Sequence, residues 1–98
     1  MQYNFEWDPA KAKSNADKHG VTFEHAIDVF KDRMALTVFE NQDSTPGEDR
    51  WVTLGMVNNK HYLLMVHTYH EQGSNGVTIR VISARRATRH EIKQYEKG

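Results

Sequence analysis

Residues 77–98 read VTIRVISARRATRHEIKQYEKG, and the fold turns on how this stretch is divided. Its first part is β-branched and alternates, so side chains are expected to point by turns to opposite faces of a strand, with Arg80, Ile82 and Ala84 on one side and Ile79, Val81 and Ser83 on the other. Its second part begins with Thr88-Arg89-His90-Glu91, the spacing of a capping box, with Ala87 and Ile92 placed to form the accompanying hydrophobic staple. A strand therefore hands over to a helix that starts at about Arg89, and Arg85, Arg86, Arg89 and His90 crowd that junction. Cations are unfavourable in the first turn of a helix, whose free N–H groups and dipole already present positive charge. A sequence that accepts this cost usually does so for an anion.

Working outward, the preceding strands have no helices between them. ALTVFE, WVTLGMV and HYLLMVHTY are β-prone, and Asn58-Asn59-Lys60 is a good hairpin turn between the last two. NQDSTPGEDR and HEQGSNG read as loops. Strands joined this closely must form an antiparallel meander. Upstream lie two helices. WDPAKAKSNADKHG has Asp8 to cap it, Pro9 for its first position and Gly20 to stop it. In VTFEHAIDVFKD, Thr22 caps, and Phe23, Ala26, Ile27 and Phe30 form one apolar stripe. The expected order is α-α-β-β-β-β-α, an α+β fold with an antiparallel sheet of about four strands, two N-terminal helices and one C-terminal helix.

The bulk numbers narrow the function. Ninety-eight residues make one domain's worth of chain, taken here as 1–98. With no cysteine, disulfides, thiolate metal sites and cysteine nucleophiles are excluded. The longest apolar stretch, YLLMV, is too short to span a bilayer, and the N-terminus shows no basic-then-apolar signal, so no membrane and a cytoplasmic location are expected. No histidine shows a recognised metal-ligand spacing, so neither metal nor cofactor is expected. Net charge is zero but segregated: seven acids against two bases in 20–49, and six bases against two acids in 76–98. Such segregation yields either a basic face that attracts phosphate or two segments that neutralise each other.

RNA can be cut without metal. A base takes the 2′-hydroxyl proton, a cation stabilises the phosphoryl oxygens, and an acid protonates the leaving 5′-oxygen. His67, His19, Arg80, Arg85, Arg86 and Tyr95 could supply these parts. Each also has a plainer reading: His67 as a strand-end histidine bonded to backbone, Tyr95 as an aromatic flanking the core, Arg80 paired with an acid across the sheet.

Several pieces, in order along nearly the whole chain, carry a resemblance: FEWDPAKAKSN, KHGVTFEHAIDVF, GEDRWVTLG, LLMVHT and IRVISARRATRHEIKQYE. The chain resembles the BrnT family of type II toxin–antitoxin toxins. The resemblance implies a RelE-like fold and a metal-independent endoribonuclease that arrests growth, working by 2′-hydroxyl attack to leave a 2′,3′-cyclic phosphate. It also implies a BrnA-like antitoxin with a ribbon-helix-helix part, in a 2:2 complex that binds operator DNA. Matched motifs put Lys18, His19, His67, Arg80, Arg85, Glu91 and Tyr95 in the catalytic set, Arg50, Arg86 and Arg89 on RNA, and Glu48 beside Arg50 in GEDR. The rival expectation is a module of the same fold that binds nucleic acid or a partner without turnover.

Overall fold

The computed structural model describes residues 2–45, 48–72 and 76–98. Five strands, β1 (Gln2–Glu6), β2 (Leu36–Thr45), β3 (Glu48–Val57), β4 (His61–Gln72) and β5 (Gly76–Arg86), form one sheet in the order β1-β5-β4-β3-β2. The α+β class stands, but the sheet is mixed and five-stranded, which corrects the all-antiparallel count of four and the RelE-like label attached to it. The added strand is β1, which pairs parallel with β5 from Gln2↔Gly76 to Glu6↔Arg80. A parallel partner some seventy residues away leaves no hairpin signal in the chain. β2, β3, β4 and β5 pair antiparallel in succession, as expected, though their ends run into both stretches read as loops. The tips of those stretches, 46–47 and 73–75, lie outside the described residues.

Helix punctuation follows the sequence. α1 (Pro9–His19) starts at Asp8, whose carboxylate accepts from the Ala10 N–H at 3.0 Å, and ends at Gly20, left-handed at φ 69°. The second helix departs from expectation. It is one turn of α-helix, α2 (Phe23–Ala26), capped by Thr22 and followed by a 3₁₀ helix, Ile27–Lys31. Packing gives the reason. A Cβ on Gly55 of β3 would lie 3.0 Å from the Val29 Cβ and 3.1 Å from its carbonyl oxygen, so the 3₁₀ segment lies directly on the strand backbone. α3 (Arg89–Lys97) has the predicted capping box: Thr88 Oγ1 accepts from the Glu91 N–H, and the Glu91 carboxylate accepts from the Thr88 N–H. Asn58 and Asn59 both adopt positive φ, as a tight hairpin requires.

The core forms on one face of the sheet, where Leu63, Met65, Val81 and Ala84 meet Phe23, Ala26 and Val29. The position of Ala84 there contradicts simple alternation along β5. Val66 pairs with Ser83 but His67 pairs with Val81, so Ile82 is an extra, unmatched residue. This β-bulge resets the side-chain period. Ala84 joins Val81 on the inner face; Arg80, Ser83 and Arg85 all belong to the outer face. Among the described residues no helix is long and apolar enough to cross a membrane.

Candidate active surface

The outer face carries a groove of about 410 Å³. Its floor is apolar, with Leu36 and Val38 from β2, Val52 and Leu54 from β3, and Leu64 and Val66 from β4; Arg85, Glu91 and Gln94 form its wall on the α3 side. Arg85 is fixed at that wall. Its two terminal nitrogens reach the two Glu91 oxygens at 2.9 Å each, a bidentate pair, and a further bond runs to the Arg86 carbonyl at 3.1 Å. Hydrogen bonding from Arg85 is the main cause that holds the Glu91 carboxyl below its ordinary range, against the effect of its burial. The same bond, from the other side, raises the Arg85 pKa. Arg85 is thus met within the chain, where the crowded cations pointed to an anion from outside it: Glu91 serves both the helix cap and Arg85.

Arg80 is five residues up the strand, also on the outer face, and meets Glu6 of β1 at 2.7 Å while both side chains stay about half exposed. Arg50 pairs with Glu40 in the β2–β3 ladder, and Glu40 lines the groove. Glu48 begins β3, but its side chain is outside the described residues. Lys18 and His19, in the last turn of α1, line a shallow depression of about 210 Å³ with Lys11 and Ser83. Ser83 lies between Arg80 and Arg85 along β5, so this depression joins α1 to the arginine-bearing strand.

Asn15 holds α1 in that position. β1 pairs with β5 only as far as Arg80; beyond, the Asn15 side chain donates to the Ala84 carbonyl at 2.8 Å and accepts from the Ala84 N–H at 3.1 Å. It also donates to the Val21 carbonyl at 3.0 Å. A buried amide does here what a neighbouring strand would do.

The structure does not bring the remaining candidates to this face. His67 is on the inner face and has no exposed surface. Its Nε2 is 2.7 Å from Thr53 Oγ1, which is 2.8 Å from Thr37 Oγ1; its Nδ1 has no hydrogen-bond partner among the described residues. Phe30 and Tyr69 close over the ring edge-on at 5.1 and 4.9 Å. Burial pulls its pKa down to about 4, so the ring is neutral near pH 7. Tyr95 donates to Asp32 Oδ2 at 2.6 Å, and that bond, with burial, pushes the phenol up to about 12. Burial works against the Asp32 charge, yet the N–H groups of Met56 and Met34 and the Tyr95 hydroxyl hold its pKa below the ordinary value. The pair ties α3 to the segment after the 3₁₀ helix. Arg86 is exposed in a separate cleft, and Arg89 is exposed at the start of α3. Glu40, Gln94, Glu6 and Asn15 were not singled out from the sequence. Asn15 had no local signal, since it acts through a contact 69 residues away.

A search of curated proteins finds no match. Among solved structures, the crystal structure of the Brucella abortus ribonuclease toxin BrnT is similar, with TM-score 0.60 and 23% identity over 91% of this chain and 100% of that one, a likeness of fold. The family model of BrnT, ribonuclease toxin of a type II toxin–antitoxin system, matches residues 7–91. The chain belongs to the BrnT family of ribonuclease toxins of type II toxin–antitoxin systems.

Proposed function

We propose that this chain cleaves RNA without a metal, on the outer face of its sheet, by attack of a ribose 2′-oxygen on the adjacent phosphorus. The bond from phosphorus to the 2′-oxygen forms as the bond to the 5′-oxygen breaks. The 2′-hydroxyl gives up its proton, the 5′-oxygen takes one, and a 2′,3′-cyclic phosphate and a 5′-hydroxyl remain. The observation that carries this reading is the bulge at Ile82, which places Arg80 and Arg85 on one face beside the depression lined by Lys18 and His19.

In this reading Arg85 and Arg80 take the phosphoryl oxygens, where charge gathers in the transition state. Phosphate displaces Glu91 from the Arg85 fork, and the freed carboxylate is then next to the reacting atoms. His19 and Lys18 line the approach from α1, and the apolar floor receives bases. Arg50 extends the positive surface on the β3 side, and Arg89, exposed at the start of α3, meets RNA outside the groove. His67 and Tyr95 act as positioning residues, the first under the sheet and the second behind α3. The guanidinium groups supply the charge that a metal would.

A toxin of this class implies an antitoxin. We infer a BrnA-like ribbon-helix-helix partner in a 2:2 complex able to bind operator DNA, with toxin kept from RNA in the cytoplasm by a segment that covers the arginines. The test is incubation of purified protein with RNA in EDTA. Products ending in 2′,3′-cyclic phosphate support the enzyme. RNA bound but left whole would favour the binding module, and cleavage that requires a divalent ion would overturn the mechanism.

A further inference from the structure

Away from the groove, at the other side of the strand–helix junction, basic side chains from the β3–β4 hairpin, β4, β5 and α2 converge. Lys60, His61 and Arg86 line a cleft of about 160 Å³ with Tyr62, Ala87 and Ile92. His25 of α2 lies against it, its ring 5.9 Å from that of His61 and edge-on to it. The arrangement is built into the fold. Lys60 follows the two positive-φ asparagines of the hairpin, His61 begins β4, and Arg86 ends β5 as the ladder partner of Leu63. The Ala87 N–H bonds to the Tyr62 carbonyl at 2.9 Å and holds the two strand ends together.

The charges in the cleft have one sign. Besides burial, the groups that push the His61 pKa down are Arg86, Lys60 and His25. Glu96, the carboxylate that α3 brings to Tyr62, is bonded to the Tyr62 hydroxyl at 3.3 Å. Two imidazoles alone would suit a metal, but Lys60 and Arg86 beside them repel a cation. An anion relieves the two cations and can accept from both imidazoles. Phosphate offers oxygens for a lysine point charge, an arginine fork and imidazole N–H groups together.

We propose that the cleft of His25, Lys60, His61 and Arg86 binds a backbone phosphate of the RNA strand, apart from the phosphate that reacts at Arg85. The site rests on the ribonuclease reading for its ligand and extends it. Arg85 and Arg86 are consecutive and belong to opposite faces, joined by the bond from the Arg85 guanidinium to the Arg86 carbonyl. A strand leaving the groove over the end of β5 passes from one to the other.

Proton NMR of the His25 and His61 C2–H signals tests it on the whole protein, with inorganic phosphate as one probe and a 2′-O-methyl RNA oligonucleotide, which cannot be cleaved by 2′ attack, as the other. Chloride at matched ionic strength is the control. Both probes should raise the His61 titration midpoint by about half a pH unit or more, since a nearby negative charge favours the imidazolium. The Lys60→Ala/Arg86→Ala variant alters two exposed side chains and should fold normally by circular dichroism. It should lose that rise, and the slope of log affinity for the oligonucleotide against log salt should fall by about 0.7, the loss of one phosphate contact on a single strand. An unmoved His61, a shift that survives in the variant, or a shift with inorganic phosphate but none with RNA overturns the proposal. RNA cleavage with His61 unmoved removes this cleft and leaves the active surface standing. A His61 shift with no cleavage keeps the cleft and removes the catalyst.

Discussion

Replacing His67 with glutamine should change how stability depends on pH. In the folded protein burial brings the His67 pKa to about 4 from its ordinary value of 6.5. The unfolded chain therefore binds a proton at a pH where the folded chain does not. The stability that the neutral, buried ring preserves is fully present above pH 6.5, is lost as pH falls towards 4, and declines no further on this account below that. Within the window the slope is one proton, about 1.4 kcal/mol per pH unit. Between pH 7.5 and 4.5 the linkage comes to about 2.5 kcal/mol. Glutamine does not titrate and reaches far enough to keep a bond to Thr53, so its cost at pH 7.5 should be about 1–2 kcal/mol, from the lost ring contacts with Phe30 and Tyr69. At pH 4.5 that deficit should vanish or reverse. Urea unfolding followed by tryptophan fluorescence at a series of pH values gives both curves. His61, also lowered, and the carboxylates Asp32 and Glu91 are common to the two proteins and cancel in the difference. A difference between wild type and variant that stays constant across the range would refute the buried, neutral ring. RNA cleavage at pH 7.5 should survive the change, and its loss in a folded variant would return His67 to the chemistry.

Two further substitutions probe how the outer face is held. Asn15→Leu removes three hydrogen bonds to backbone groups that have no strand neighbour, and should cost about 2–4 kcal/mol, read as a fall in melting temperature; a neutral result would mean that water replaces the amide. Tyr95→Phe loses the 2.6 Å bond to Asp32, should cost about 1 kcal/mol, and should leave RNA cleavage within about threefold of wild type; a loss of about a hundredfold would make Tyr95 a catalytic group.

What the sequence could and could not convey follows from the range of each interaction. Helix ends were legible because caps are local: Asp8, Gly20 and Thr88 act within four residues of themselves. The hairpin at Asn58-Asn59 was legible for the same reason. β1 was not, because its partner is β5 and parallel pairing needs no turn between them. The bulge was not legible either. Period-two reasoning has no place for an unmatched residue, so it assigned Ala84 and Ser83 to the wrong faces, and only the pairing with β4 shows that Ile82 is extra. His67 was correctly grouped with Leu63 and Met65, but the rings of Phe30 and Tyr69 that close over it come from folding. The cations around the start of α3 pointed to an anion from outside the chain, and Arg85 instead meets one of the chain's own carboxylates. Alternation and spacing could not show that Glu91, already committed to the cap, is one that Arg85 meets.

In the proposed reaction a cation on the outer face, brought beside its neighbours by the bulge, carries the chemistry on RNA. The rate of RNA cleavage in EDTA by Arg85→Ala against wild type tests it most directly. Wild type should cleave and leave 2′,3′-cyclic phosphate ends. The variant should remain folded, since Glu91 keeps the helix cap through Thr88 and the partly buried ion pair contributes about 1–2 kcal/mol, yet it should cleave roughly a hundredfold more slowly. A folded variant that cuts RNA at the wild-type rate would contradict the account.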